Sequence, residues 1–372
     1  MLKDYNSNWC PEVYKGMFVN RVNNNQVSVA PCCQADPAVE HINTFEFATS
    51  HHLQQIRQKF DQNIQAPECH RCWHDESLNK KSRRLSAIEF FSSETATTTV
   101  ELNSLDYNAT WACNLTCIMC GPNFSSSWAK ELKLNATQLQ QLGKRITKPE
   151  SIVNQLDLTT IKKIHFNGGE PFINNDHTVL LEKLDQLGVL KNIFISYNTN
   201  GTLSPNKKTL DLWSRAKLVK LFYSIDATNN AFEYIRYPAS WEKTQDNMLL
   251  LKQNLPSNVM FGFNSTVACY NLFEMIDVWQ WFDTNLKSNR EQDPSDFCCQ
   301  FASNFDIKHL QYNVKQAAYN ELKTIPALDA VAQYIKKTML CDSNNNWITT
   351  LDQIDARRNT DWKSSLAVSK YI

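Results

Sequence analysis

The strongest chemical signal in this sequence is three cysteines on one short segment, Cys113-Asn114-Leu115-Thr116-Cys117-Ile118-Met119-Cys120-Gly121. Thiolates at C-x3-C-x2-C spacing can hold a four-iron cubane while leaving one iron without a protein ligand. An open iron can chelate an amino and a carboxylate group and pass an electron to the molecule so bound. A cubane closed by four cysteines serves only as an electron carrier. The same three thiolates could instead hold structural zinc. A second signal is His165-Phe166-Asn167-Gly168-Gly169-Glu170-Pro171, where two adjacent glycines allow a close approach to backbone groups or, more simply, a tight turn.

The chain has 12 cysteines in 372 residues. A reducing cytosol does not sustain structural disulfides, so this number points to metal or catalytic thiols. Cys10, Cys32, Cys33, Cys69 and Cys72 fall in the first fifth of the chain, whereas Cys269, Cys298, Cys299 and Cys341 are scattered. His41, His51, His52, His70 and His74 surround the first group, but isolated histidines are more often packed or surface residues than ligands.

These residues need a scaffold, and the sequence supplies one. From about residue 105, β-branched and aromatic runs alternate with longer segments of helical periodicity, the pattern of βα units on a parallel sheet. Strands are expected at Leu105–Trp111, Ile161–Asn167, Asn192–Asn198, Val219–Ile225, Val259–Val267 and Phe305–Leu310. Helices are expected from Ser125 and over Val179–Leu187, Thr209–Ala216, Thr244–Asn254 and Leu272–Leu286. Six such units predict an α/β fold, a partial (β/α)6 TIM-like barrel, whose ligand sites lie at the C-terminal ends of the strands. Residues 1–100 read as a separate small cysteine-rich module, 101–314 as the barrel and 315–372 as a helical extension. Only 8 glycines occur. Asn23-Asn24-Asn25 and Asn344-Asn345-Asn346 are expected to take over turns, since Asn tolerates positive φ.

With 38 basic and 38 acidic residues the formal net charge is zero. A long nucleic-acid backbone, which demands a basic stripe, is therefore disfavoured as a partner. No apolar run is long enough for a signal peptide or a membrane span, so a cytoplasmic location is expected.

The cysteine loop, the Gly-Gly-Glu-Pro segment and polar strand ends in this order resemble the radical S-adenosylmethionine superfamily over residues 105 to 310. The resemblance implies that Cys113, Cys117 and Cys120 bind a 4Fe-4S cluster and that Gly168, Gly169 and Glu170 face the methionine amino group of S-adenosylmethionine. Met119 stands where the family usually has an aromatic residue beside adenine. Asn198, Asn200, Ser224 and Asp226 match strand-end residues that hold ribose and carboxylate, with Arg236 as a fork-shaped carboxylate donor. On a plainer reading the first four cap loops and Arg236 forms an ion pair.

Pro31-Cys32-Cys33-Gln34 and Pro67-Glu68-Cys69-His70-Arg71-Cys72-Trp73, followed by Glu76, resemble the auxiliary-cluster domain called SPASM or, in its shorter form, twitch. That resemblance implies a second, closed 4Fe-4S cluster on Cys10, Cys32, Cys69 and Cys72, with Cys33 an alternative to Cys32. A zinc site on the same thiolates is the competing reading. The implied activity is abstraction of hydrogen from an unactivated carbon on a peptide or protein, by a monomer reduced by flavodoxin or ferredoxin. Dehydrogenation of a sugar and a non-catalytic iron-sulfur carrier are the alternatives. Tyr107, Asn264, Cys269, Cys298, Cys299 and Tyr312 fall near expected strands, where packing roles outnumber chemical ones.

Overall fold

A computed structural model describes residues 8–21, 26–41, 44–77, 81–92, 98–108, 110–142, 156–286 and 297–372. The turn expected at Asn23-Asn24-Asn25 lies outside the described residues. The chain divides into two compact units. One comprises Met1–Ala112, Leu134–Tyr197 and Lys207–Val219, and the other Cys113–Lys133, Asn198–Asn206 and Lys220–Ile372.

In the first unit the strands are β1 (Gly16–Arg21), β2 (Gln26–Ala30), β3 (Ala38–His41), β4 (Ser104–Asn108), β5 (Lys163–Phe166) and β6 (Phe194–Thr199), whose last two residues belong to the second unit. Their order is β3-β2-β1-β4-β5-β6. β1, β4, β5 and β6 are parallel, while β2 and β3 extend the sheet antiparallel. Because successive side chains on a strand point to opposite faces, the register sorts the residues into rows. Met17, Leu105, Ile164 and Ile195 make one apolar row, and Val19, Tyr107, Phe166 and Tyr197 the next. All eight are buried. The helices Asp176–Gln186 and Lys207–Arg215 bury Leu180, Leu181 and Leu184 and Leu212 and Trp213. Phe166 stacks on Tyr197 at 4.6 Å, and Tyr197 meets Trp213 at 5.1 Å. The opposite face of the sheet carries the row Phe18, Asp106, His165 and Ser196.

The second unit holds most of β7 (Leu218–Tyr223) together with β8 (Val259–Val267) and β9 (Phe297–Phe301). β8 and β9 are parallel, with Asn264 opposite Cys298 and Ser265 opposite Cys299. Phe263, Phe282 and Phe297 form the aromatic filling on one side of this pair, at 4.9 to 6.4 Å. The helices Tyr312–Leu322, Asp329–Thr338 and Asn346–Arg358 make the C-terminal region helical, as expected.

The α/β class is as the periodicity predicts, with two departures. Phe305–Leu310, expected as the sixth strand, contains instead a 3-10 turn at Ile307–His309. Asp306 starts it by accepting the Lys308 backbone N–H at 2.9 Å. The sixth parallel strand is Phe297–Phe301. The second departure concerns residues 1–100. β1 pairs with β4 from Gly16↔Ser104 to Asn20↔Asn108, so the first hundred residues share a sheet and a compact unit with β4 and β5. The division read at residue 100 does not coincide with the division into units.

The helix His51–Asp61 shows how the N-terminal segments are tied together. Ser50 caps it by accepting from the Leu53 N–H at 3.3 Å, and Leu53, Ile56 and Phe60 form its buried stripe. Arg57 shares that stripe and is also buried. Its Nε, Nη1 and Nη2 donate to the carbonyls of Val13 (3.1 Å), Ala48 (3.0 Å) and Phe47 (3.2 Å). Burial lowers its pKa to about 10, yet it remains a cation at neutral pH. Arg57→Met would keep the apolar stem but strand three carbonyls, at a cost of about 3 kcal/mol. A urea titration should show this as a lower midpoint at unchanged slope, and an unchanged midpoint would mean the carbonyls find other donors.

Candidate active site

The cysteine loop, in the second unit, is neither helix nor strand, so its backbone groups need partners from elsewhere. Three consecutive serines supply several. Ser125 Oγ donates to the Leu115 carbonyl (2.6 Å) and caps the helix Ser126–Glu131 by accepting from the Trp128 N–H. Ser126 Oγ accepts from the Cys113 N–H (3.1 Å), and Ser127 Oγ donates to the Cys113 carbonyl (2.7 Å). The N–H groups of Thr116 and Ile118 donate to the carbonyls of Tyr237 (2.7 Å) and Ile235 (2.9 Å). Trp128 Nε1 donates to the Cys117 carbonyl at 2.9 Å. Arg358, from the last long helix, donates through Nη2 to the Thr116 carbonyl (2.6 Å) and through Nε to Glu131 (3.1 Å), with its guanidinium 4.9 Å from the rings of both Trp128 and Tyr237.

The result is a loop that gathers its three thiols. Cys117 is buried, Cys113 and Cys120 are half-buried, and the thiolate charges of Cys120 and Cys113 both bear on Cys117. Burial, followed by these neighbours, pushes Cys117 up to about 12, against the pull of Arg236. Such a set fits a cationic iron cluster, which would relieve both the repulsion and the cost of burying thiolates. Met119 is half-buried on the same loop.

Asn200 and Thr202 fasten the loop as well. Asn200 Nδ2 donates to Asn114 Oδ1 (3.0 Å), and Asn114 Nδ2 donates to Thr202 Oγ1 (2.8 Å). Asn198 is the last residue but one of β6, and the Ser224 N–H donates to the Thr199 carbonyl (2.7 Å). Asp226 and Arg236, both buried, hold each other: Arg236 donates through Nε (2.8 Å) and Nη2 (2.6 Å) to Asp226 Oδ2. The fork expected to meet a cofactor carboxylate is closed on Asp226. Nη1 lies 3.8 Å from Cys117 Sγ. Asp226 Oδ1 accepts from the Thr266 N–H (2.7 Å), and Asn271 Nδ2 donates to the Asp226 carbonyl (2.9 Å). Next to Asn271, Tyr270 is completely buried, and its hydroxyl has no hydrogen-bond partner among the described residues.

Gly168, Gly169 and Glu170 belong to the first unit, where they dock on the segment that leads into the cysteines. The N–H of Gly169 donates to Thr110 O (3.0 Å) and that of Glu170 to Ala112 O (2.8 Å). A Cβ on Gly169 would stand 2.0 Å from Ala112 O, and Gly168, at φ +116°, would clash with Asn108 Oδ1 at 2.0 Å. The glycines thus admit neighbouring backbone. Glu170 is fully buried and accepts the Phe172 N–H at 3.1 Å.

The N-terminal thiols also converge. Cys10 precedes the helix Pro11–Lys15, Cys32 follows β2, Cys69 ends the turn Pro67–Cys69 and Cys72 lies in the helix His70–Ser77. Burial raises the Cys10 thiol first, and then the charges of Cys32, Glu12 and Cys69 do so. Cys69 is raised by burial and then by Cys32 and Cys72. Cys32 packs with Ala30, Ala35 and Cys69, whereas Cys33 faces Asp106 and Arg83, its N–H donating to Asp106 Oδ2 at 2.9 Å. Among the described residues, no three Cys, His, Asp or Glu side chains stand as a site for a single metal ion. A cubane, whose body separates its thiolates, asks for a wider set.

Several contributors escaped the sequence reading. Ser125-Ser126-Ser127 ahead of a helical segment was a legible signal. Arg358, Tyr270 and Asn271 carried none. Of the residues near strands, Cys269 donates its thiol to the Asp306 carbonyl (2.9 Å), Tyr107 is core and Tyr312 is exposed.

The model of the Radical SAM superfamily matches residues 107–268. Over 174 residues the chain is 30% identical to molybdenum cofactor biosynthesis protein 1 of Dictyostelium discoideum, a match covering 44% of this chain and 25% of that protein. The matched stretch is thus a quarter of that relative's length. Among solved structures it is similar to native anSMEcpe with bound AdoMet (18% identity, TM-score 0.40, 60% of each chain). It is also similar to Streptococcus suis SuiB bound to S-adenosylmethionine (11% identity, TM-score 0.39, 86% of this chain and 71% of that one). Among the described residues no helix is long and apolar enough to cross a membrane. Residues 107–268 thus carry the match to the Radical SAM superfamily, whose members are enzymes.

Proposed function

We propose that the chain abstracts hydrogen from an unactivated carbon of a peptide or protein, with a 4Fe-4S cluster on Cys113, Cys117 and Cys120 and S-adenosylmethionine as its cofactor. The observation that carries this reading is the gathering of three thiols, whose thiolate forms repel one another, on a loop whose backbone is held from several sides. When bound, the cluster supplies one electron that cleaves the sulfonium into methionine and a 5'-deoxyadenosyl radical. The protein's part is to bind and orient. Gly168, Gly169 and Glu170 are proposed for the methionine amino group, Met119 for adenine, and Asn198, Asn200 and Ser224 for ribose and carboxylate. Asp226 holds Arg236, and both are sealed from water. Flavodoxin or ferredoxin is the electron donor this chemistry calls for.

We assign a second cluster to Cys10, Cys32, Cys69 and Cys72, because the thiol charges couple within this set and Cys32 packs against Cys69, while the N–H of Cys33 is held by Asp106. Four ligands leave no iron open, so its part is to carry electrons.

Reduced, anaerobically reconstituted protein should convert S-adenosylmethionine into 5'-deoxyadenosine and methionine, and Cys117→Ala should abolish this, since two thiolates do not hold the open-iron cluster. Cleavage by that variant at the parent rate would refute the assignment. Gly169→Ala should lower iron content and cofactor cleavage together, because its Cβ drives into the Ala112 carbonyl. Parent-level iron in that variant would show that the segment yields without disturbing the cysteines. Replacing Cys113, Cys117 and Cys120 together with Ala should leave a folded protein with about four irons on the N-terminal thiolates, and adding Cys33→Ser should not change that number. Iron, sulfide and zinc are measured per chain, and zinc in place of iron would make the site a structural staple.

A further inference from the structure

We propose that residues 362–372 form a latch within the second unit, held shut by Glu274 while its carboxyl carries a proton and loosened when that proton leaves. The device is a regulatory one and does not depend on the cluster assignment above.

Glu274 stands immediately before the helix Met275–Asn285 and is buried. Its Oε1 accepts the Ala367 N–H at 2.7 Å, whereas Oε2, also buried, has no hydrogen-bond partner among the described residues. A protonated carboxyl leaves one hydroxyl unpaired in such a place. A carboxylate leaves a charge there, which costs far more. Beside it Phe273 stacks on Tyr371 with ring centroids 4.1 Å apart, and the tail also buries Leu366 and Val368. These apolar contacts hold the tail at every pH, and Glu274 decides how tightly.

The root of the latch is fixed. Trp362 is buried, and its N–H donates to Asp355 Oδ2 and its Nε1 to Asp352 Oδ1, both at 2.8 Å and both on the helix Asn346–Arg358. Beyond Leu366 the tail is tied through the Ala367 N–H on Glu274 and, at an exposed position, through the Tyr371 hydroxyl on Glu321 Oε1 (3.2 Å). The tip is therefore the part that ionisation of Glu274 frees. The Glu274 N–H donates to the Asn271 carbonyl (3.2 Å), and Asn271 in turn holds the Asp226 carbonyl. The latch thus closes on the turn that steadies this strand end.

Burial is the largest influence on Glu274 and pushes it up to about 7, against the N–H groups of Ala367 and of Glu274 itself; Asp277, on the same helix, adds to the rise and Lys370, on the tail, opposes it. With the tail released, the carboxyl returns to its ordinary value of about 4.3. The closed state therefore binds the proton more tightly than the open one. Closure is fully favoured below about pH 4.3 and weakens as the open form ionises. This contribution is lost once the pH passes about 7.

The test is hydrogen exchange of the full chain, read by mass spectrometry on a C-terminal peptide and on one from β8, each rate divided by that of the unstructured peptide at the same pH. From about pH 5.5 to about pH 8 the protection of the C-terminal peptide should fall about ten- to thirtyfold, the factor that the two proton affinities give. Glu274→Gln keeps the acceptor for the Ala367 N–H and cannot ionise, so its C-terminal protection should stay within about threefold over that range, as should that of the β8 peptide in both proteins. A flat parent profile, a fall shared by the β8 peptide, or an equal fall in Glu274→Gln would overturn the inference. If Glu274→Gln does not fold, the parent decides: a fall confined to the C-terminal peptide supports the latch, and any other profile removes it.

Discussion

The site depends on holding an irregular loop still while it brings three thiols together. Thiolates repel, and a loop outside helix and strand has no ladder to satisfy its N–H and C=O groups. This chain meets both demands from outside the loop. Serine hydroxyls take up Cys113 at both its N–H and its carbonyl, Trp128 takes the Cys117 carbonyl, and the backbone at Ile235 and Tyr237 accepts two N–H groups. Arg358 closes the set from far along the chain. A loop held in this way keeps its thiols in place before a cluster binds, so less ordering entropy opposes assembly.

Each compact unit also has a buried charge pair, and the two are balanced differently. In the second unit burial raises Asp226, and the attraction of Arg236 does not fully offset it. In the first unit burial alone would raise Asp106, but Arg83, His165 and Lys163 together hold it down to about 2. Arg83 Nη2 bridges Asp106 (2.9 Å) and Glu12 (3.2 Å), and Asp106 also accepts the Cys33 N–H. Breaking one partner of such a pair strands the other, which costs more than the pair itself contributes. Through these contacts the turn carrying Cys32 and Cys33 is anchored on β4, and Glu12 ties in the helix that Cys10 precedes.

The same contacts separate two adjacent cysteines. On the page of the sequence Cys32 and Cys33 are equivalent candidates for a metal site. In the fold the charges of Arg83 and Asp106 reach both, but Cys32 packs in the apolar cluster with Ala30, Ala35 and Cys69, while Cys33 is bonded to Asp106 through its N–H. One peptide unit of turn geometry is enough to send neighbouring side chains into different surroundings.

What the sequence by itself determined was local. The C-x3-C-x2-C loop, the Gly-Gly-Glu segment, five of six barrel strands to within a few residues and the amphipathic helices were legible, because spacing and periodicity encode short-range geometry. The sixth strand was missed because an aspartate that starts a turn outweighs a short apolar run, and the strand that replaced it, Phe-Cys-Cys-Gln-Phe, has no clear alternation. Tertiary structure alone decided that β1 would pair with β4, that Arg236 would close on Asp226, that Arg358 would reach back to Thr116 and that Tyr270 would bury its hydroxyl. These are pairings between residues ten to more than two hundred positions apart. Local propensity carries no record of them, because partner choice is settled only when the sheet, its covering helices and the buried charges are satisfied together.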